Sequence, residues 1–337
     1  MKAALIGLGR MGRRHLENMR SLGLEVVGAA DPRSSSATSA IQDGALATDV
    51  VFPTAEALFA RVKPEVVVIA ATAPAHASAT KLAARAGARY VLCEKPMASS
   101  LAECDQMISE CERSGTLLAI NHPQRVMEQY TALRNLVEAP EFGGVSSITV
   151  VGGNFGVAMN GTHYFEMLRW LTSEPPHQVS AWFSSEQVPN PRGPEFSDRG
   201  GSVRVITKSG RRLNLECGPE QGHGIRVVYA GRYGLAVSDE LGGTISVSTR
   251  KAEDRELPTT RYGTTANSRV LNVAPADALV PSRRVLESLM AGRDFPSGQE
   301  GRLAVATLVA AFVSNESEGR SIPVDGSLPL ERRFDYA

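Results

Sequence analysis

The sequence predicts an α/β protein of two domains. A parallel sheet with helices on both faces is expected over residues 1–121, and an α+β domain with a mostly antiparallel sheet over 122–337. Three observations predict this. Short apolar runs alternate with helical patterns through the first third, the rhythm of a parallel sheet wound by helices. Beyond residue 121, strand-like runs follow one another across glycine-containing turns, the rhythm of antiparallel pairing. Finally, 337 residues with 42% hydrophobic content exceed what one core usually organises and can fill two.

Residues 2–7 form a compact apolar run, the first strand, and 11–22 carry helical spacing that stops at Gly23. Strands follow over 24–31 and 47–52, with a short helix from Thr54. The run EVVVIAA at 65–71 is β-branched and continuous, as in a strand covered on both faces. A helix over 75–86 stops at Gly87, and strand 89–93, helix 101–113 and strand 116–120 close the series. In the second domain the pattern predicts a helix over 124–137 opened by Pro123. Strands are predicted over 146–151, 179–183, 203–207, 213–216, 225–229, 235–238 and 244–249, interrupted by a helix over 162–171. Residues 186–200, rich in Pro, Gly and Ser, read as a loop. Helices over 282–290 and 301–314 end the pattern and are candidates to pack back on the first domain.

Composition narrows the function classes. Lys+Arg and Asp+Glu are equal at 36 each, so no electrostatic footprint for nucleic acid or an anionic membrane is expected. Cys93, Cys104, Cys111 and Cys217 form no CxxC pair and no metal-type cluster, which predicts reduced thiols in an intracellular protein and no metal site. The first apolar run is too short for a signal peptide, and no stretch reaches the roughly 18 apolar residues of a membrane span. A cytoplasmic protein is expected.

The strongest motif is Gly7-Leu8-Gly9-Arg10-Met11-Gly12, a G-x-G-x-x-G that follows the first strand and opens the first helix. Gly7 permits the tight turn, Gly9 lets backbone approach a pyrophosphate, and Gly12 allows close helix–strand packing. The helix N-terminus, with Arg10 and Met11, offers free N–H groups and a partial positive charge to phosphates. Asp31 lies 19 residues after Gly12, where a carboxylate accepts from adenosine ribose hydroxyls and repels a 2′-phosphate. NAD is therefore expected. Arg33 and Ser34-Ser35-Ser36 follow at once and could hold that phosphate, which keeps NADP as the alternative.

At Cys93-Glu94-Lys95-Pro96 the chain resembles the glucose–fructose oxidoreductase / inositol dehydrogenase / rhizopine-catabolism (Gfo/Idh/MocA) family. The resemblance runs through GLGRMGRRH at 7–15, the stretch 71–76, 87–98, NHPQR at 121–125, GTHYFEMLRWL at 161–171 and the ending at 297–324. It implies a Rossmann dinucleotide-binding domain and a second domain whose sheet is open, with the open face commonly making a homodimer or homotetramer contact. It also implies hydride transfer between nicotinamide and a hydroxyl or matching ketone of a sugar, amino sugar, nucleotide sugar or cyclitol. Relatives that act as glycosidases through transient oxidation, and a non-enzymatic nucleotide sensor, are the alternatives. A sensor would need no lysine at position 95.

Moving a hydride off a C–H bond leaves an alcohol oxygen with a proton to lose, so a proton acceptor must lie within reach of it. Lys95 follows a strand at the carboxyl end of the parallel sheet, where doubly wound folds place ligands. It is a candidate base, or a charged donor to the developing alkoxide. His163 opens the helix 162–171 and suits proton exchange near neutral pH. The resemblance implies that the histidine of Gly161-Thr162-His163 contacts the reacting hydroxyl. Many relatives carry an aspartate four residues before it; here Met159 stands there, followed by Asn160, which can orient a hydroxyl but take no proton. Arg125 is either a fork to substrate hydroxyls or a domain-junction ion pair. Asn154 and His223 are pocket candidates, and the resemblance assigns Thr72, His76 and Glu94 to the cofactor side. His15, His122 and His177 have no chemical partner visible in the sequence.

Overall fold

The structure is a computed structural model that describes every residue except 154, 191, 192, 194, 195, 259–263 and 337. In the first domain, β1 (Lys2–Ile6), α1 (Arg10–Ser21), β2 (Glu25–Ala30), α2 (Ser34–Gln42), β3 (Val51–Phe52), α3 (Ala55–Arg61) and β4 (Val66–Ile69) come first. They are followed by α4 (Ala73–Arg85), β5 (Tyr90–Cys93), α5 (Leu101–Ser114) and β6 (Leu117–Ile120). All pairings are parallel, in the order β3-β2-β1-β4-β5-β6. Val66, Val67, Val68 and Ile69 of β4 are fully buried, as the continuous apolar run requires. The strand order reverses between β1 and β4, and a crevice opens there at the carboxyl ends of the strands.

The second domain holds α6 (Glu128–Glu138), β7 (Ser147–Gly153), α7 (Thr162–Thr172), β8 (Pro176–Gln187), β9 (Arg199–Thr207), β10 (Arg212–Gly218) and β11 (Arg226–Ala230). Next come β12 (Gly234–Asp239), β13 (Thr244–Arg250), β14 (Ala266–Asn272), α8 (Leu279–Met290), α9 (Gly298–Glu316) and β15 (Ile322–Pro323). Its sheet has the order β14-β13-β12-β11-β7-β10-β9-β8-β15. Pairing is antiparallel except between β7 and β10. Along β7 and β10 alternate residues turn inward, so Ile148, Val150, Leu213 and Leu215 are buried. Phe165 and Leu168 of α7 and Leu308 and Val309 of α9 belong to the same core.

The last helices return to the first domain. Val285, Leu286 and Leu289 of α8 share a core with Leu5, Leu16 and Met19. The chain end follows them: the Tyr336 hydroxyl donates to the Ala98 carbonyl at 3.0 Å. Among the described residues no helix is long and apolar enough to cross a membrane.

Several elements differ from the sequence reading. The strand expected over 47–52 shrinks to β3, because Thr48–Val50 make a 3₁₀ turn. The helix expected over 124–137 is broken: Pro123–Val126 is 3₁₀, Met127 is extended, and α6 begins only at Glu128. Ser34-Ser35-Ser36, given no element in the sequence reading, are the first turn of α2, despite the weak helix preference of serine. The 186–200 loop loses both ends to β8 and β9, and part of it lies outside the described residues. β14 is a further strand, almost wholly exposed and so without the apolar pattern that would mark it.

α9 starts three residues earlier than the pattern suggests because Ser297 caps it. The Ser297 hydroxyl accepts from the Glu300 N–H, and the Glu300 carboxylate accepts from the Ser297 N–H, a reciprocal capping box. Ser297→Ala is expected to lower stability by about 1 kcal/mol, read as a reduced urea midpoint at unchanged slope.

Candidate active site

The glycine-rich turn is built as the motif demands. Gly7 has φ +95°, and a Cβ on it would lie 2.6 Å from the Ala70 backbone. A Cβ on Gly12 would lie 2.0 Å from the Gly7 carbonyl oxygen. Both positions are closed to any side chain. The Asp31 carboxylate closes the turn from behind: it accepts from the Leu8 N–H at 2.7 Å and from the Arg33 N–H at 2.9 Å. Above the turn is an open cleft of about 450 Å³, lined by Gly9, Arg10 and Met11 on one wall and Met159, Asn160 and His163 on the other.

Lys95 enters this cleft two residues beyond β5. The residue before it is the anchor. Glu94 is almost completely buried, and one carboxylate oxygen accepts from His15 Nε2 at 2.8 Å and Asn121 Nδ2 at 2.7 Å. The Asn121 amide also donates to the Ser282 hydroxyl of α8 at 3.0 Å. Burial by itself raises the Glu94 carboxyl, but the hydrogen bond and charge of His15, with Asn121 and Lys95, hold it well below the usual carboxylate range. The Lys95 ammonium reaches across the cleft and donates to the Met159 carbonyl. That carbonyl lies in a single π-type turn, Val157–Gly161, which runs directly into α7 and His163.

Comparison with known proteins bears on this arrangement. Residues 1–122 match the Gfo/Idh/MocA family, described as an oxidoreductase family with an NAD-binding Rossmann fold. An inositol 2-dehydrogenase of Salmonella typhimurium is 28% identical over 272 residues, covering 75% of this chain and 77% of the relative. An inositol 2-dehydrogenase of Pseudomonas fluorescens is 25% identical over 357 residues, covering 99% of each. Residues 1–122 belong to the Gfo/Idh/MocA family of oxidoreductases. Among solved structures, an oxidoreductase from Agrobacterium radiobacter in complex with NAD+, L-tartaric acid and magnesium has the same fold, with a TM-score of 0.79 at 16% identity over 97% of this chain and 99% of that one.

In this chain, Gly9, Arg10, Met11, Thr72, Glu94, Lys95, Asn160 and His163 come together on the cleft, and Arg33 joins them with its guanidinium largely exposed. Other residues singled out in the sequence do not. Arg125 is the domain-junction ion pair rather than a fork into the cleft. Its guanidinium pairs with the fully buried Glu166 carboxylate and, at 2.8 Å, with Glu300. Arg169 pairs with the same two carboxylates at 2.9 and 2.7 Å. His76 is buried beneath the cleft with its ring nitrogens 3.0 Å from the Pro96 carbonyl and 3.1 Å from the Ala71 carbonyl, so it braces the segment after Lys95. His223 is exposed and turned to the Gly224 carbonyl. Asp31 lies behind the turn, off the cleft lining, and Asn154 lies outside the described residues. Among the described residues no group of three or more His, Cys, Asp or Glu side chains could hold a metal ion.

Two residues without a partner in the sequence reading are part of the site. His15 is the donor that fixes Glu94. His122 packs edge-on against His163, ring centroids 5.4 Å apart. Burial, with Lys95 and Arg125 nearby, pushes the His122 imidazole down to about 3. Burial, then Lys95 and His122, pushes His163 well below its ordinary value, so both rings are neutral near pH 7. His15 lies eight residues after Gly7 on the inner face of α1, a register the G-x-G-x-x-G could have signalled.

Two outcomes follow from these placements. Arg125→Ala leaves the buried Glu166 carboxylate with one cation fewer and is expected to cost about 3 kcal/mol of stability, measured by urea unfolding, without loss of NADH affinity. His122 stays neutral in the folded chain while the unfolded chain binds a proton below about pH 6.5, so stability falls as pH drops through that value. His122→Asn is expected to remove about 2 kcal/mol of the stability lost between pH 7 and pH 5. Urea titrations of both proteins at the two pH values check it.

Proposed function

We propose that this oxidoreductase transfers hydride between NAD and a hydroxyl or ketone of a polyhydroxylated small molecule: a sugar, amino sugar, nucleotide sugar or cyclitol. The observation that carries the reading is that Lys95 and His163 line the same cleft as Gly9, Arg10 and Met11. The inositol 2-dehydrogenases among the relatives support the substrate class.

The turn fits a dinucleotide. Gly7 and Gly12 leave no side chain between backbone and ligand, and the first turn of α1 has N–H groups that no helical carbonyl uses. When bound there, NAD supplies the hydride acceptor. Asp31 beside the turn favours NAD over NADP, and the exposed Arg33 keeps NADP as the alternative. Lys95 would hold the reacting oxygen through its ammonium and stabilise negative charge as it develops there. His163, neutral and lining the cleft, would accept the hydroxyl proton. Asn160 would orient a neighbouring hydroxyl.

We further propose a homodimer or homotetramer formed through the outer face of the second sheet, where Leu235 and Val270 are exposed beside Val237. The four free, buried cysteines suit a reducing cytoplasm.

The test is a fluorescence titration with NADH, followed by turnover on a panel of inositols, sugars and nucleotide sugars, for the natural chain and Lys95→Met. One panel member should be oxidised or reduced, and Lys95→Met should lower kcat by about 100-fold or more while NADH affinity stays within a few-fold. Near-normal turnover by Lys95→Met would remove Lys95 from the chemistry.

A further inference from the structure

We propose that Asp198 is a positioning residue for Lys95, acting through the backbone of Met159. Asp198 stands just before β9, far in sequence from both residues, and is only 2% exposed. Its two carboxylate oxygens accept separately from the N–H groups of Ala158 and Met159, each at 2.9 Å. The Met159 carbonyl in turn accepts from the Lys95 ammonium. A negative charge thus stands one residue of backbone away from the positive charge in the cleft. The Met159 N–H and carbonyl belong to successive peptide groups, so the carboxylate acts by holding the turn that aims this carbonyl at Lys95 and by its own charge, which is little screened at this depth.

The backbone is shaped to admit this carboxylate. A Cβ on Gly156 would lie 2.0 Å from Asp198 Cγ and 2.3 Å from both of its oxygens. Gly156 has φ −104°, open to any residue, so the glycine answers to space and not to conformation. The charges are also matched. Burial raises the Asp198 carboxyl, while the two N–H donors and the Lys95 ammonium pull it back toward the ionised form. Lys95 is faced by Glu94, His122, His163 and Asp198, and Asp198 by Lys95 and the Cys217 thiol of β10. Two neutral imidazoles contribute no charge near pH 7, so the ammonium is balanced by Glu94 on one side and Asp198 on the other.

This inference rests on the reading that Lys95 serves the reacting oxygen, but it can fail separately. Turnover by Lys95→Met tests the reading; the charge state of Lys95 tests Asp198 and needs no substrate. The chain has six lysines, so ¹³C NMR at lysine Cε of the full-length protein with NAD+ present gives six titrations. The Lys95 resonance is the one that Lys95→Met deletes. Asp198→Asn keeps the size of the side chain and removes its charge, which favours loss of the Lys95 proton. The Lys95 midpoint is expected to fall by about half a pH unit or more, with the other five unmoved. Gly156→Ala keeps the charge but drives the carboxylate off the two N–H groups, and should shift Lys95 in the same direction by less. It supplies the answer if Asp198→Asn does not fold, with NADH binding as the check on folding for both. A Lys95 midpoint unchanged in a folded variant of either kind would overturn the proposal, because a merely structural carboxylate would alter stability and leave that titration in place.

Discussion

Glu94 is an ionised carboxylate taken almost entirely out of water, and such a group is tolerated only where fixed donors replace the solvent. Those donors come from three places in the chain. His15 is on the inner face of α1, Asn121 follows β6, and Asn121 is itself tied to Ser282 on α8. Satisfying one oxygen therefore fixes the first helix, the end of the parallel sheet and a helix that arrives after the entire second domain. Lys95 is the next residue, so its backbone inherits that constraint. Below it, His76 braces the Pro96 carbonyl. The segment that carries the ammonium is held at both of its ends before any ligand is present.

The cleft separates two kinds of group by their charge state. Lys95 and Glu94 are a charged pair at its floor, while His122 and His163 are packed rings from which burial has removed the proton. The lysine reinforces this: a cation beside an imidazole makes a second cation costly. A neutral ring can accept a proton at neutral pH, and a fixed ammonium can only donate hydrogen bonds. The division of labour between the two residues thus follows from the charge each carries. Behind α7, Tyr164 and Tyr130 donate to the buried Glu240 carboxylate, which anchors the helix bearing His163 to the second sheet.

Much of this was readable in the sequence. The turn at 7–12, the buried run at 65–71 and the position of Lys95 beyond a parallel strand follow from local rules, and the alternation of strands and helices carries the fold class. What escaped was set by long-range partners. Arg125 and its alternatives could not be separated because Glu166 and Glu300 are distant in sequence and meet it only once α7 and α9 are packed. His15 and His122 showed no partner for the same reason. β14 was missed because a strand exposed along nearly its whole length has no periodicity to display. The serine run after Asp31 was read for its hydroxyls, whereas its backbone opens α2.

The two domains do not behave as separate bodies joined at the cleft. One contiguous core runs from Ala4, Val67 and Val91 of the parallel sheet to Ile148, Val227 and Ile245 of the second, with α9 in the same cluster. At its edge, Arg125 and Arg169 are each shared between Glu166 of α7 and Glu300 of α9. Separating the domains would expose that core, strand the buried Glu166 carboxylate and take the Met159 carbonyl from the Lys95 ammonium. Each of these losses opposes opening, and they occur together. Access to the cleft must therefore come through its open side rather than by a wide hinge. Both walls of the site are then held before any ligand arrives, the Met159 wall by Asp198 and the Lys95 wall by Glu94.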